Sequence, residues 1–128
     1  MVVRETDDAE TDRVFHALAD ATRRDILTRV IRAEQSVSAL AQHYPMSFAA
    51  VQKHVAVLER AALVTKQRRG REQMVHADLT AVQRAARLLD AYQELWRHRA
   101  RGIDRILAED HAEQGTEDQA EQERNRVR

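Results

Sequence analysis

The sequence predicts a mainly α-helical fold with one small β-hairpin, and three observations carry that prediction. Glycine and proline number only three and one in 128 residues, while alanine, arginine, leucine, glutamate and glutamine are abundant, a mixture that favours helix over strand. Apolar residues recur at spacings of three and four along most of the chain, the mark of amphipathic helices. One stretch breaks this rhythm. Val64-Thr65-Lys66 and Met74-Val75-His76 read as strands around Arg69-Gly70-Arg71, where glycine supplies the positive φ of a tight hairpin tip. A chain of this length has room for one core.

The elements follow in order. A flexible acidic arm is expected at residues 1–10, then a short helix from Thr11 to Leu18, where Val14, Phe15 and Leu18 recur at helical spacing. Asp20 is placed to cap a second helix from Ala21 to Ala33, with Ile26, Leu27, Val30 and Ile31 on one face. Ser36 caps a two-turn helix through Val37, Leu40 and Ala41. Pro45 disfavours the helical conformation at Tyr44, so Tyr44-Pro45-Met46 is a tight turn. Ser47 then caps a fourth helix through about Ala61. Two short helices around a brief turn make a helix-turn-helix unit.

After the hairpin, Asp78 caps a long helix from Leu79 to Ala108. Val82, Ala85, Leu89, Tyr92, Trp96, Ile103 and Leu107 form one stripe on it, widened by Leu88, Leu95 and Ile106. Such a helix is about 40 Å long, more than the small remaining body can cover. The excess stripe calls for a second subunit. The few aromatics (Phe15, Tyr44, Phe48, Tyr92, Trp96) point the same way, since small aliphatics alone bury little area in a monomer. The domain is thus expected at residues 11–108, with a polar, disordered tail at 109–128.

Composition also excludes. There is no cysteine, which removes disulfides, thiolate metal sites and cysteine nucleophiles. No segment approaches the roughly 20 apolar residues of a membrane span, so a soluble, cytoplasmic protein is expected. The formal charge is zero, but its distribution is uneven. Arg4 faces Glu5, Asp7, Asp8, Glu10 and Asp12 near the N-terminus, and seven acids outnumber three arginines after Ala108. Between them Lys53, Arg60, Lys66, Arg68, Arg69 and Arg71 outnumber Glu59 and Glu72. A basic centre between acidic ends suits a face that meets phosphate.

On a wheel of residues 47–62, Val51, Val55, Leu58 and Ala62 cluster on one side, while Phe48, Ala49, Gln52, Lys53 and Ala56 project the other way. The first group packs inward. The second has what a reader of the major groove presents: small residues for close approach, Gln52 to pair with adenine, Lys53 to meet guanine or phosphate, and Phe48 for a thymine methyl. Ser47 stands at the same helix start. His54, at the edge of the buried side, reads as a packed, hydrogen-bonded histidine. Arg68, Arg69 and Arg71 on the hairpin suit a wing gripping phosphates or a narrow minor groove. A mixed solvent face and a solubilising turn are the plain alternatives.

The run ALADATRRDIL (Ala17 to Leu27), then MSFAAVQKHVAVLERAALV (Met46 to Val64) and KQRRGREQMVHA (Lys66 to Ala77), resembles the ArsR/SmtB family of bacterial winged-helix repressors over residues 12–107. The resemblance implies a winged helix-turn-helix homodimer joined by its first and last helices, with Val14, Phe15, Leu88, Tyr92, Leu95, Trp96 and Ile103 at the interface. It further implies repression at a palindromic operator in double-stranded DNA, with each fourth helix in a major groove. Ala21, Gln52, Val55 and Ala62 depart from the usual proline, serine, leucine and glycine. Val55 and Ala62 are expected to affect packing only. Gln52 lies on the reading face, so base preference is not carried over.

Metal-sensing members place cysteines on the third helix or carboxylate and histidine pairs on the last. Ser36 and Ser38 align with those cysteines, and hydroxyls are poor ligands for soft metals. The chain resembles the cysteine-less branch, with no cofactor. A metal-responsive repressor with a histidine and carboxylate site on the last helix (Asp90, Glu94, His98, Asp104, His111) stays an alternative, although His98 and His111 are thirteen residues apart. No nucleophile beside a base, carboxylate pair or glycine-rich phosphate loop suggests an enzyme. A helical interaction module that never touches DNA would use the same long helix but has no need of a basic wing.

Overall fold

The computed structural model describes the backbone of residues 2–126 and the side chains of residues 7–112 and 122–125. Met1, Val127 and Arg128, the outermost residues of the expected arm and tail, lie outside the described residues. The order is α1 (Val2–Leu18), α2 (Ala21–Arg32), β1 (Gln35–Ser36), α3 (Val37–Ala41), α4 (Phe48–Arg60), β2 (Val64–Arg69), β3 (Glu72–Ala77) and α5 (Thr80–Arg126). The chain divides into two compact units, residues 1–88 and 89–128.

In the first unit the polar residues expected to start helices do so. Asp20 accepts from the Arg23 amide at 3.0 Å, Ser36 from Ala39 at 3.0 Å and Ser47 from Ala50 at 3.1 Å. Each bond satisfies an amide that a first turn leaves without an intrahelical partner, worth about 1 kcal/mol over alanine. Asp78 likewise accepts from the Thr80 amide at 3.0 Å as α5 begins.

The end of α4 is closed by paired backbone bonds, Leu63 N to Leu58 O at 3.0 Å and Ala62 N to Glu59 O at 2.9 Å, which is a Schellman motif. The residue past the cap has φ +60° and is Ala62. An L side chain in this region costs roughly 1–2 kcal/mol. Ala62 is exposed, so the expectation that it affects packing is corrected: its consequence is backbone strain.

The hairpin joins β2 and β3 in antiparallel register from Val64↔Ala77 to Arg69↔Glu72, around Gly70 and Arg71. Gly70 has φ +61°, which the first central position of a two-residue turn favours. β1 completes a sheet ordered β1-β3-β2, pairing Gln35↔Val75 and Ser36↔Met74. A two-residue strand has no alternation to read, and its second residue is also the cap of α3.

The core draws on every helix: Val14 and Ala17, Ile26, Leu27 and Val30, Val37 and Leu40, Val51, Val55 and Leu58, with Leu63, Val64, Val75 and Ala85. No aromatic side chain is among its buried residues. The expectation of a small-aliphatic core therefore holds.

Two helices are longer than their apolar periodicity predicts. α1 begins at Val2 rather than Thr11; the turns ahead of Thr11 have no apolar face to detect, but Arg84 pairs with Glu10 and lies 3.9 Å from Asp7. In the second unit α5 runs on past Ala108 to Arg126, through residues rich in Glu, Gln, Ala and Arg, all strong helix formers. Propensity rather than burial carries that extension. Leu89, Tyr92, Leu95, Trp96, Ile103, Ile106 and Leu107 are exposed along the helix.

Candidate nucleic-acid interface

α4 separates its two faces cleanly. Val51, Val55 and Leu58 are fully buried, which fixes the rotation of the helix about its axis; Ala49, Gln52 and Lys53 are exposed, and Phe48 is 46% exposed. Among the described residues neither Gln52 nor Lys53 has a hydrogen bond or ion pair, so their polar groups stay available to an external partner. The Ser47 hydroxyl oxygen accepts from Ala50 and keeps its proton to donate.

Two contacts hold α4 and the turn before it. The Tyr44 hydroxyl donates to Asp25 Oδ2 at 2.6 Å, and Arg29 Nε donates to the same oxygen at 2.9 Å, which ties the turn to α2. The Tyr44 hydroxyl pKa is pushed up to about 12, first by burial and then by the Asp25 carboxylate. The Tyr44 and Arg29 hydrogen bonds hold the Asp25 carboxyl below its ordinary range. The second contact is Arg23, whose Nε donates to Ala17 O at 2.8 Å and Nη2 to His16 O at 2.9 Å, with Nη1 3.4 Å from His54 Nδ1. His54 is half-buried and partnered, as expected.

The wing arginines differ from one another. Arg68 Nε donates to Gly70 O at 3.2 Å and braces the tip. Arg69 Nη1 pairs with Glu34 Oε1 at 2.6 Å. Arg71 has no intramolecular partner among the described residues. Lys66, counted in the basic centre, is 3.4 Å from Glu59, so part of that charge is already neutralised. Sequence reasoning missed Glu34 and Arg23, because partners this far apart in the chain leave no local pattern.

The proposed interface residues also sort by exposure. Val14 is 1% exposed and sits in the core, so its place at a dimer interface is corrected: its own chain already covers it. Phe15 and Leu88 in the first unit are partly exposed, as are Tyr92, Leu95, Trp96 and Ile103 in the second. Arg99 lies 5.8 Å from the Trp96 ring centroid, a cation–π contact that leaves Trp96 67% exposed. Among the described residues no three His, Cys, Asp or Glu side chains converge as a metal site, and no helix is long and apolar enough to cross a membrane.

Comparison with known proteins agrees with this geometry. A family model described as a helix-turn-helix domain matches residues 18–67, which hold α2 to α4 and half the wing. An ArsR-like transcriptional regulator from Rhodococcus sp. RHA1 is 39% identical, superposes with a TM-score of 0.66, and is matched over 77% of this chain and 92% of its own. The chain belongs to the ArsR family of transcriptional regulators. A further relative is the HTH-type transcriptional regulator Rv2034 of Mycobacterium tuberculosis, 38% identical over 71 residues, 56% of this chain. The chain spans 66% of that relative's length. The homodimeric winged helix-turn-helix DNA-binding domain of Mb0332 from Mycobacterium bovis is 27% identical, with a TM-score of 0.53 over 70% of this chain and 80% of its own. In this ArsR-family chain the elements named by that description are α3, α4 and the β2–β3 wing.

Proposed function

We propose that this protein is a non-catalytic repressor that binds a palindromic operator in double-stranded DNA as a homodimer in the cytoplasm. The observation that carries the reading is the outer face of α4. Gln52 and Lys53 are exposed and unpartnered there, on a helix whose opposite side is locked into the core. Gln52 reads a base edge, Lys53 meets guanine or phosphate, Phe48 packs on a thymine methyl, and Ser47 donates to a phosphate. Arg68, Arg69 and Arg71 form the wing. The functional domain occupies residues 11–108, with the acidic ends 1–10 and 109–128 kept off the DNA by their charge.

The homodimeric state of the Mycobacterium bovis relative supports an assembly through Phe15 and Leu88 together with Tyr92, Leu95, Trp96 and Ile103. A symmetric dimer presents two equivalent α4 helices to half-sites about one helical turn apart. Selection from random duplexes at about 100 mM salt tests this, because salt sets the balance between specific and non-specific binding. Enrichment of an inverted repeat is the expected result. A folded protein that enriches no duplex would instead be a helical interaction module.

A further inference from the structure

The three wing arginines are not equivalent, and the residue that distinguishes them lies outside the wing. Glu34, in the link between α2 and β1, uses both carboxylate oxygens: Oε1 takes Arg69 Nη1 at 2.6 Å and Oε2 takes His76 Nδ1 at 2.8 Å. The sheet fixes its place. Gln35, the next residue, is paired with Val75 of β3, and His76 follows Val75, so the carboxylate is held from its own backbone and from the strand beside it. Its reach to Arg69 spans 35 residues of sequence. Glu72 stands opposite Arg69 in the hairpin register, yet the ion pair is made with Glu34.

We infer that Glu34 is a positioning residue for DNA binding, which holds Arg69 out of the phosphate-contacting set and leaves Arg71 as the wing's principal clamp. The inference rests on the DNA-binding reading above and deepens it. A guanidinium that already faces a carboxylate contributes little field to an approaching phosphate, because the two charges cancel at a distance. Arg69 must give up Glu34 before it can release a counterion from DNA on its own account. Arg71 carries no such partner. The same carboxylate also anchors His76, so that releasing Arg69 leaves Glu34 with a partner and the wing root in place. Glu34 thereby limits sequence-independent affinity while the reading face of α4 is untouched.

The test uses the full chain and a duplex of random sequence, titrated across a salt series, with the wild type, Glu34→Gln, Arg69→Ala, Arg71→Ala and the Glu34→Gln/Arg69→Ala pair. Glu34→Gln keeps the shape of a partly exposed side chain, and the circular dichroism of each variant reports its fold. The expected result is that Glu34→Gln tightens binding about twofold to fivefold, the range an exposed ion pair can hold back. It should also steepen the salt slope by about 0.9 per arginine released. Both gains should vanish when Arg69 is also alanine. In the Glu34-containing protein, Arg71→Ala should flatten the slope more than Arg69→Ala does. Wild-type protein that binds no duplex even at low salt would end the DNA-binding reading itself. Binding that is unchanged by Glu34→Gln, or raised equally with and without Arg69, would overturn the role of Glu34 and leave that reading standing.

Discussion

Arg23 Nη1 lies 3.4 Å from His54 Nδ1, joining the start of α2 to the middle of the helix that carries the candidate reading face. The same guanidinium donates to the carbonyls of Ala17 and His16; the end of α1 leaves Ala17 O without an intrahelical donor, and His16 O also accepts from the Ala19 amide at 3.3 Å. One side chain thus fixes three helices. Its side chain is only 13% exposed, so water cannot fully replace it. Arg23→Ala is expected to lower stability by about 2–3 kcal/mol, since two charged hydrogen bonds to carbonyls are lost and the part-buried Ala17 carbonyl is left without its donor. Arg23→Lys should recover little, because one ammonium cannot span the fork. Urea denaturation followed by circular dichroism measures both; an alanine variant within 0.5 kcal/mol of wild type, about the scatter of ordinary surface substitutions, would remove the assigned role.

Ala62 makes the opposite prediction. Its φ of +60° is forced by the Schellman bonds that close α4, and glycine occupies that region without a Cβ clash. Ala62→Gly should stabilise by about 0.5–1 kcal/mol after allowing for glycine's larger unfolded-state entropy. The check is a rise in Tm with an unchanged urea m-value.

These two residues show where the sequence was legible. The caps at Asp20, Ser36 and Ser47, the buried side of α4 and the Gly70 tip are local features, each set by neighbours within four residues, and each was readable. The long helices were readable only where an apolar face marks them, so α1 ahead of Thr11 and α5 beyond Ala108 went unseen. The resemblance places Val14 at an interface because it names the helices that join without showing which of their side chains the chain's own core covers. The pairs Arg23–His54 and Arg69–Glu34 join residues more than thirty apart, and no spacing rule encodes them. The candidate reading face was legible since it needs only a helix rotation; the partnering of the wing was not.

Reader and clamp should separate by mutation. Gln52→Ala is expected to change base preference at one position in each half-site, with a loss of about 1–3 kcal/mol if the contact is bidentate. Arg71→Ala should weaken all sequences alike and lower the salt slope by about 0.9 for each arginine removed, about 1.8 for the proposed homodimer. Repeating the duplex selection with each variant decides: original base preferences retained by the Gln52 variant would place the reading face elsewhere on α4.

The proposed dimer makes its own prediction at Ile103, which is 49% exposed on the α5 stripe. A carboxylate introduced there by Ile103→Glu would be buried without a partner at the interface, costing about 3–5 kcal/mol. Monomers should then appear in sedimentation at concentrations where the wild type is dimeric. A variant that stays dimeric with normal DNA affinity would put Ile103 outside the interface.

DNA binding is expected to be independent of zinc, arsenite and cadmium. Soft-metal sensing needs thiolates or a close set of imidazoles and carboxylates, and the chain has no cysteine. His98 and His111 lie on one helix, α5, where a separation of thirteen residues corresponds to about 20 Å of rise. Two imidazoles that far apart on one chain cannot share an ion, and a site between subunits would need a carboxylate or imidazole from each. Allostery requires a ligand that binds two conformations with different affinity, so side chains that cannot hold the metal cannot transmit it. The measurement is an operator titration of the apo protein, repeated with each metal in small excess and again with a chelator. Equal affinities are the expected outcome. A reproducible tenfold shift with one metal, about 1.4 kcal/mol of coupling, would overturn it, and alanine at His98 and at His111 would then show which of them holds the ion.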